Sequence, residues 1–169
     1  MLDFAILGLL SEHPRHGYEL KRALGDLGFW QVSFGSLYPA LRRLEKRGHI
    51  AAERGGGRRK SYRITAEGAT AFASTIAEVP DPDESERSFQ LRLAFFGRLE
   101  PQQRITVLEG RRTALADRLR GARKVFLGAR RSSGDRYRLA LMERSVRSTE
   151  NDIAWLDQLI AGERSASPS

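Results

Sequence analysis

Apolar residues in the first half of the chain recur at the spacing of short helices. An apolar run over Phe4–Leu10 predicts a first helix, which Pro14 ends. Apolar residues at positions 18, 20, 24 and 27 predict a second helix, which ends near the glycines at positions 25 and 28. A third helix is expected where Leu37, Leu41 and Leu44 fall on one side, and Gly48 can end it in a left-handed conformation.

Two short segments of strand-like composition follow the third helix. They run from His49 to Arg54 and from Ser61 to Ile64, and a run of three glycines separates them, which predicts a β-hairpin. Thr65 is the expected N-cap of a fourth helix. The order helix, helix, helix, hairpin, helix is that of a winged helix-turn-helix with a two-stranded wing.

The second half of the chain carries two long apolar seams, each with steps of three and four residues. The first seam occupies positions 105, 108, 112, 115, 119, 122 and 126, and the second occupies positions 139, 142, 146, 149, 153, 156 and 160. This spacing is typical of coiled-coil packing and predicts two antiparallel helices. Trp155 and Leu159 widen the second seam, so we expect a homodimer, with a monomeric helical hairpin as the alternative. The expected dimer contacts are Leu115, Leu119, Met142, Val146, Ile153, Leu156 and Ile160.

These patterns divide the chain into four predicted regions of a mainly α protein. Residues 1–79 form the winged helix-turn-helix domain, and residues 88–162 form the antiparallel helical dimerisation domain. Residues 80–87 are the expected linker, because two prolines and four acidic residues disfavour helix and strand there. The polar residues 163–169 are expected to be a disordered tail.

The charge balance points to a polyanionic partner. The net charge is +8, and nine basic residues but only two acidic ones lie between Arg42 and Arg63. The chain has no cysteine, which excludes disulfides and thiolate metal sites and is compatible with the cytoplasm. No apolar stretch approaches the ~20 residues of a membrane span, and the start of the chain lacks a basic leader, so a signal peptide is not expected.

The predicted third helix has a basic face opposite its leucines. Arg42, Arg43 and Lys46 lie on that face, with Pro39 beside them and Ser36 at the margin. Proline is tolerated in the first turn of a helix, so the helix is expected to begin near residue 35 or 36, with Ser36 or Ser33 as its cap. The hairpin tip Gly55-Gly56-Gly57-Arg58-Arg59-Lys60 is also cationic, which is suited to a sugar-phosphate backbone.

Other classes of function find little support in the sequence. The three histidines form no metal-ligand pair, and residues 56–61 resemble a phosphate loop but carry Arg59 where that motif needs glycine. We therefore expect no catalytic residue, no metal and no cofactor. The alternative to DNA binding is a winged-helix protein-interaction module without sequence-specific DNA binding. Such a module would usually carry apolar residues on the exposed face of its third helix, where this chain carries Arg42, Arg43 and Lys46. A membrane-surface role would require an exposed apolar face beside the cations, so we expect no membrane partner.

Five segments of the first half resemble the PadR family of bacterial transcriptional regulators. They are Ile6-Leu7-Gly8-Leu9-Leu10, Gly17-Tyr18-Glu19-Leu20, Gly35-Ser36-Leu37-Tyr38-Pro39-Ala40-Leu41-Arg42-Arg43-Leu44-Glu45, Gly48-His49-Ile50 and Arg59-Lys60-Ser61-Tyr62-Arg63-Ile64-Thr65-Ala66-Glu67-Gly68. The likeness covers residues 1 to about 78, and His49 departs from it where the family usually has an aliphatic residue. The second half resembles, by length and pattern, the PadR group with an extended dimerisation domain.

The resemblance implies a dimeric, ligand-responsive repressor on a palindromic double-stranded DNA operator. The residues expected to contact DNA are Ser33, Ser36, Tyr38, Pro39, Arg42, Arg43, Lys46, Arg58, Arg59, Lys60 and Tyr62. The resemblance also implies a small hydrophobic or phenolic effector, for which Trp30, Phe95, Phe96 and Trp155 are candidate lining residues. A place in the hydrophobic core is the alternative for these four aromatic residues.

Overall fold

The computed structural model describes residues 1–28, 32–54, 60–132 and 135–166, without the side chain of Arg54. The chain forms two compact units. The first unit contains Met1–Ile76 and Glu86–Leu99, and the second contains Ala77–Ser85 and Glu100–Ser169. This division differs from the predicted boundaries at residues 79 and 88, because residues 86–99 pack with the first unit.

The first unit is mainly helical and contains a small sheet. Its elements in chain order are α1 (Leu2–Glu12), β1 (Arg15–His16), α2 (Gly17–Asp26), α3 (Phe34–Lys46), β2 (Ile50–Arg54), β3 (Lys60–Ile64), α4 (Ala66–Ala77) and α5 (Glu86–Leu93), followed by a single 3-10 turn (Phe96–Arg98). The three main helices of the helix-turn-helix, the hairpin and the fourth helix lie where the sequence predicts them. Thr65 caps α4 as predicted, since its Oγ1 accepts a hydrogen bond from the Gly68 N–H at 3.1 Å.

The sheet has three antiparallel strands in the order β1-β3-β2, one more than predicted. In the hairpin, Ile50 pairs with Ile64 and Ala52 pairs with Tyr62. On the other edge of β3, Arg15 pairs with Tyr62. Strand β1 is only two residues long, so it is too short to show any alternation in the sequence.

The core of the first unit joins the helix-turn-helix to residues 86–99. Helix α1 is buried continuously from Ala5 to Leu10. The rings of Phe4, Phe72 and Phe95 lie with centroids 5.0–5.9 Å apart, and Phe89 packs edge-on against Phe96. These contacts between aromatic rings explain why residues 86–99 belong to the first unit rather than to the second.

The second unit is an antiparallel pair of long helices, α6 (Pro101–Arg131) and α7 (Arg136–Ala166). Cross-helix hydrogen bonds show the direction: Arg104 donates to Glu163, Arg112 to Asp157 and Arg123 to Glu150, so partners descend in α7 as they ascend in α6. Helix α7 continues to Ala166, so residues 163–166 of the predicted disordered tail are helical, and residues 167–169 lie outside the described residues.

The predicted dimer seam lies largely inside this helix pair. Of the seven residues expected to contact a second chain, five are buried within the single chain: Leu115, Leu119, Val146, Leu156 and Ile160. Met142 and Ile153 are half-buried. The seam of one helix packs on the seam of the other because both face inward, which leaves these side chains to the intrachain core. Seam position 112, an arginine, is exposed.

Most of the predicted linker packs on α6. The Arg111 guanidinium, 1% exposed, donates from Nη1 to the Glu84 carbonyl at 2.7 Å. Pro80 is buried, and Gly110 allows the chain to pass close to α6, since a Cβ there would lie 2.6 Å from Val79 Cγ1. No helix among the described residues is long and apolar enough to cross a membrane.

Candidate nucleic-acid interface

Helix α3 begins at a serine cap. The Ser36 N–H donates to Ser33 Oγ at 3.2 Å, and the Leu37 N–H donates to the Ser33 carbonyl at 3.0 Å. Of the two predicted caps, Ser33 is therefore the one used. The helix begins at Phe34, so Pro39 is its sixth residue and lies beyond the first turn, contrary to prediction. Because proline has no N–H, Pro39 cannot donate a hydrogen bond to the Gly35 carbonyl.

Helix α3 ends in the left-handed turn that the sequence predicts. Gly48 has a φ of 76°, its N–H donates to the Glu45 carbonyl at 3.0 Å, and the His49 N–H donates to the Leu44 carbonyl at 2.9 Å. This pair of bonds is the Schellman motif, which needs a residue without a Cβ penalty at positive φ. The motif turns the chain from α3 directly into β2.

The side chains of α3 divide sharply between the core and solvent. Leu37, Ala40, Leu41 and Leu44 are buried. On the other side, an exposed row runs at intervals of four residues and consists of Phe34, Tyr38, Arg42 and Lys46. The first two members are aromatic and the last two are cationic. We call these four residues the exposed row.

The basic residues of α3 differ in how their charges are compensated. Arg42 and Lys46 make no ion pair with any described residue. Arg43, in contrast, donates from Nη2 to Asp3 Oδ1 at 2.8 Å, and Arg47 Nη1 lies 4.0 Å from Asp3 Oδ2. An exposed ion pair of this kind contributes ~1 kcal/mol at most, so Asp3 holds Arg43 only weakly.

The aromatic half of the exposed row is arranged as a stack. The Phe34 and Tyr38 rings lie 5.9 Å apart at an interplanar angle of 25°, and Lys21 Nζ lies 4.4 Å from the Phe34 ring centroid. Phe34 is 39% exposed and Tyr38 is 42% exposed. Sequence reasoning identified Tyr38 but missed Phe34. The spacing in the sequence could have identified Phe34, because it stands four residues before Tyr38 and eight before Arg42 and so lies on the same side of the helix.

A cavity of about 740 Å³ opens beside this stack. Its lining residues come from β1, α2, α3 and β3, and they are His16, Gly17, Tyr18, Glu19, Phe34, Tyr38, Lys60 and Tyr62. Gly17 allows Tyr38 to approach, because a Cβ at Gly17 would lie 3.0 Å from the Tyr38 hydroxyl. The Lys60 carbonyl lies 3.1 Å from His16 Nδ1, which ties the first residue of β3, at the tip end of the hairpin, to β1.

Tyr62 is less accessible than the other predicted DNA contacts. It is 6% exposed, on the central strand β3. Burial raises the pKa of the Tyr62 phenol above 10.0, and the nearby Glu45 carboxylate raises it further. The remaining predicted contacts differ in position: Ser33, Ser36, Tyr38, Arg42, Arg43, Lys46 and Lys60 are exposed, Pro39 is half-buried, and Arg58 and Arg59 lie outside the described residues.

The residues predicted to line an effector site differ in burial and do not all belong to the same unit. Phe95 and Phe96 are 4% and 6% exposed and pack on the rings of the first unit, so their place is in the core. Trp155 lies on α7 in the second unit and is 39% exposed, and Trp30 lies outside the described residues. Within the described parts of the chain, no cluster of three or more His, Asp or Glu residues could hold a metal ion.

Comparisons with known proteins match both halves of the chain. Residues 6–74 match the model of the transcriptional regulator PadR-like family, and residues 87–162 match that of the virulence activator alpha C-terminal region. An uncharacterised protein of Lysinibacillus sphaericus is 36% identical over 83 residues, which cover 46% of this chain and 76% of that protein. The negative transcriptional regulator PadR of Bacillus subtilis is 25% identical over 177 residues, covering 95% of this chain and 96% of that protein.

Solved structures of that Bacillus subtilis regulator are also similar. Its complex with operator DNA matches at a TM-score of 0.44 and 20% identity, over 96% of this chain and 98% of that one. Its complex with p-coumaric acid matches at a TM-score of 0.45 and 22% identity, over 96% of this chain and 95% of that one.

Proposed function

Because this chain belongs to the PadR-like family of transcriptional regulators, we propose that it is a homodimeric repressor that binds a palindromic operator through α3 and the β2–β3 hairpin. The family is one of transcriptional regulators, not of enzymes. Repression is supported by the Bacillus subtilis relative, which is named a negative regulator and aligns along 95% of this chain. A repressor of this kind acts on the chromosome in the cytoplasm.

One observation carries the proposal: α3 presents two cations with no ion pair among the described residues. Arg42 and Lys46 are both exposed, on a helix whose opposite side is fixed in the core. A recognition helix in the major groove offers such side chains to guanine edges and to phosphates. We assign Arg42 to a base edge and Lys46 to a phosphate, because only arginine can bond both O6 and N7 of guanine through a planar fork.

The start of α3 supports a second kind of contact. Ser33 and Ser36 are exposed at the start of the helix, where the positive end of its dipole lies. A DNA phosphate at this end would position the helix without reading sequence. Lys60, Arg58 and Arg59 would add phosphate contacts from the hairpin. Because Tyr62 is buried, it would stabilise the hairpin rather than contact DNA.

The homodimer requires a surface other than the intrachain seam. Large apolar side chains that remain exposed on α6 and α7 are Val125, Leu127, Tyr137, Leu141 and Trp155. Val125 and Leu127 are two residues apart and lie on opposite sides of α6, so a second chain would pack against Tyr137, Leu141 and Trp155 of α7 and against one of these two. Such packing would remove this apolar surface from water. Dimer formation through it would place two recognition helices on one operator, as a palindromic site requires.

We further propose that a small hydrophobic or phenolic effector releases the repressor from DNA. Support for this comes from the Bacillus subtilis regulator, which has been crystallised with p-coumaric acid. Of the four predicted lining residues, Trp155 remains a candidate, because Phe95 and Phe96 are used in the core and Trp30 lies outside the described residues.

Fluorescence anisotropy tests the assignment of Arg42 and Lys46. Binding is measured to the chain's own upstream promoter and to a random duplex of equal length, at two salt concentrations. Arg42→Ala is expected to cost ~1–3 kcal/mol on the promoter alone, because it removes a base contact. Lys46→Ala is expected to weaken binding to both duplexes and to reduce the salt slope by about 1, because it removes a phosphate contact.

Arg144→Ala is the matched control, since Arg144 is an exposed arginine of α7. It should leave the promoter preference unchanged. Equal and weak binding of the unaltered protein to both duplexes would contradict sequence-specific DNA binding.

A protein-interaction module is the second candidate function, and the exposed aromatic pair favours it. Phe34 and Tyr38 place apolar surface on the exposed side of α3, as a winged helix that binds proteins would require. The same anisotropy measurement separates the two functions, because an interaction module would show no preference for the promoter.

A further inference from the structure

Phe34 is an exposed apolar side chain at an unusual place, the first residue of the proposed recognition helix. It is 39% exposed, although aromatic rings contribute most to stability when they are buried. Its ring does not enter the hydrophobic core, which α3 reaches through Leu37, Leu41 and Leu44. The position therefore calls for an explanation other than folding.

The ring is nonetheless held in place by two contacts. Tyr38 stacks on it at 5.9 Å, and the Lys21 ammonium lies 4.4 Å from its centroid, within the range of a cation–π contact. Tyr38 is itself restrained, because it lies against Gly17, where a Cβ would come to 3.0 Å from its hydroxyl. An apolar group fixed in this way is already ordered before any partner arrives, which lowers the entropic cost of binding.

The first residues of a recognition helix are those that reach base edges in the major groove. A phenyl ring has no hydrogen-bond donor or acceptor, so it cannot read the polar groups of guanine, cytosine or adenine. The one apolar group that the major groove presents is the C5-methyl of thymine. Within the exposed row, Phe34 and Arg42 would thus read different chemistry, the first a methyl group and the second a guanine edge.

We propose that Phe34, held by its contacts with Tyr38 and Lys21, packs on the C5-methyl group of a thymine in each half-site and selects thymine at that position. This inference rests on the proposed function, since it requires a DNA operator. Phe34 is then a specificity-determining residue. Lys21 and Tyr38 are positioning residues that fix its ring.

Replacement of thymine by deoxyuridine tests the proposal without altering the protein. Deoxyuridine lacks only the methyl group and keeps every hydrogen-bonding group of thymine. Each thymine of the promoter half-site is replaced in turn, and affinity is measured by anisotropy with the full-length protein. Replacement of the contacted thymine in one half-site is expected to lower the affinity about fourfold, the effect of leaving a single methyl group unburied.

Variants then assign the effect to Phe34. Phe34→Ala should bind the thymine and deoxyuridine duplexes equally, since it has no ring to contact the methyl group. Tyr18→Ala is the matched control: Tyr18 lines the same cavity and is 71% exposed, but lies on α2 outside the exposed row, so its thymine-to-deoxyuridine ratio should equal that of the unaltered protein. Circular dichroism of each variant checks that the fold is retained.

Two results would overturn the inference. In the first, the unaltered protein prefers the promoter but no half-site position distinguishes thymine from deoxyuridine. In the second, Phe34→Ala keeps the full discrimination. Failure of the proposed function gives a different result, because the unaltered protein then shows no preference for the promoter over a random duplex.

Discussion

Two glycines of this chain show how differently one residue type is used. Gly68, in the first turn of α4, lies against the backbone where α3 gives way to β2, and a Cβ there would overlap the His49 carbonyl oxygen. Neither partner can easily move, because the His49 carbonyl accepts from the Thr65 N–H at 3.0 Å and the Gly68 N–H donates to Thr65 Oγ1 at 3.1 Å. At Gly121, in the middle of α6, such a Cβ would have no described atom within 4 Å apart from the adjacent residues and the backbone of its own helix.

Gly68→Ala is therefore expected to destabilise the protein by about 1–3 kcal/mol, the usual cost of overpacking. Gly121→Ala is expected to stabilise it by about 0.5–1 kcal/mol, because alanine restricts the unfolded chain and favours a helix. Urea unfolding followed by circular dichroism measures both changes. A Gly68→Ala variant as stable as the unaltered chain would show that α4 can move away from His49.

At this scale, the sequence predicted residues whose roles depend on near neighbours in the chain. Gly48 and Thr65 act as predicted, since a helix end and a cap are decided within a few residues. The position of Pro39 within α3 could not be predicted from near neighbours, because the helix starts at a different residue according to whether Ser33 or Ser36 is its cap. The stack of Phe34 was missed because Lys21, its other partner, lies on a different helix.

At the scale of elements, the last turn of α6 and the first turn of α7 both carry arginines. The helix dipole, however, is negative at the end of α6 and positive at the start of α7. The last turn of α6 holds Arg130 and Arg131, which complement the negative end of that helix. The first turn of α7 holds no acidic residue and begins with Arg136, a cation at a positive end. Arg136 and Arg138 are thus unfavourable for the helix they start, and the Asp135 carboxylate offsets part of this effect, because it accepts hydrogen bonds from the N–H groups of Tyr137 and Arg138 at 2.8 and 3.0 Å.

Opposite effects on stability are expected from one substitution made at the two ends. Arg136→Glu should stabilise the protein by about 0.3–1 kcal/mol, and Arg131→Glu should destabilise it by a similar amount, because each reverses the interaction with a helix dipole. Both variants change the net charge equally, so they control for each other. Thermal unfolding at low and high salt measures the difference, which should shrink at high salt. A change of the same sign in both variants would contradict a dipole effect.

The limits of prediction at this scale follow from length and from ambiguity. A strand of two residues, β1, forms only because Tyr62 and Ser61 offer it an edge, and no local pattern encodes such an edge. The apolar seams of α6 and α7 were identified, but an apolar seam packs equally well on its own chain or on another. Five of the expected dimer contacts proved to be intrachain core because the helices fold back on each other.

For the whole molecule, the chain passes between its two units three times. It leaves the first unit after Ile76, returns at Glu86 and leaves again after Leu99. The acidic, proline-containing segment suggested a single boundary, because composition shows where helices stop but not which unit a later segment joins. The aromatic residues of 86–99 join the first unit through contacts with Phe4 and Phe72, far away in sequence.

Fragments that end at residue 79 and at residue 99 are expected to differ in whether they unfold cooperatively. A fragment of residues 1–79 loses Phe89, Phe95 and Phe96, each buried in the first unit and each contributing about 1.5–3 kcal/mol. The sum is comparable to the ~5–15 kcal/mol that stabilises a typical domain, so this fragment should not unfold cooperatively. A fragment of residues 1–99 keeps these rings and should show a cooperative thermal transition by circular dichroism. Equal melting of both fragments would contradict the role of residues 86–99.

The second unit also distributes its charge unevenly from end to end. Residues 118–147, at the turn between α6 and α7, contain ten basic and two acidic residues, a net charge of +8. Residues 100–117 and 148–166 contain four basic and seven acidic residues, a net charge of −3. Helices of 31 residues are about 46 Å long, which exceeds the Debye length of ~8 Å at physiological salt several times. A polyanion therefore attracts one end of this rod while it hardly senses the other, and a torque turns the cationic tip toward it before any contact forms.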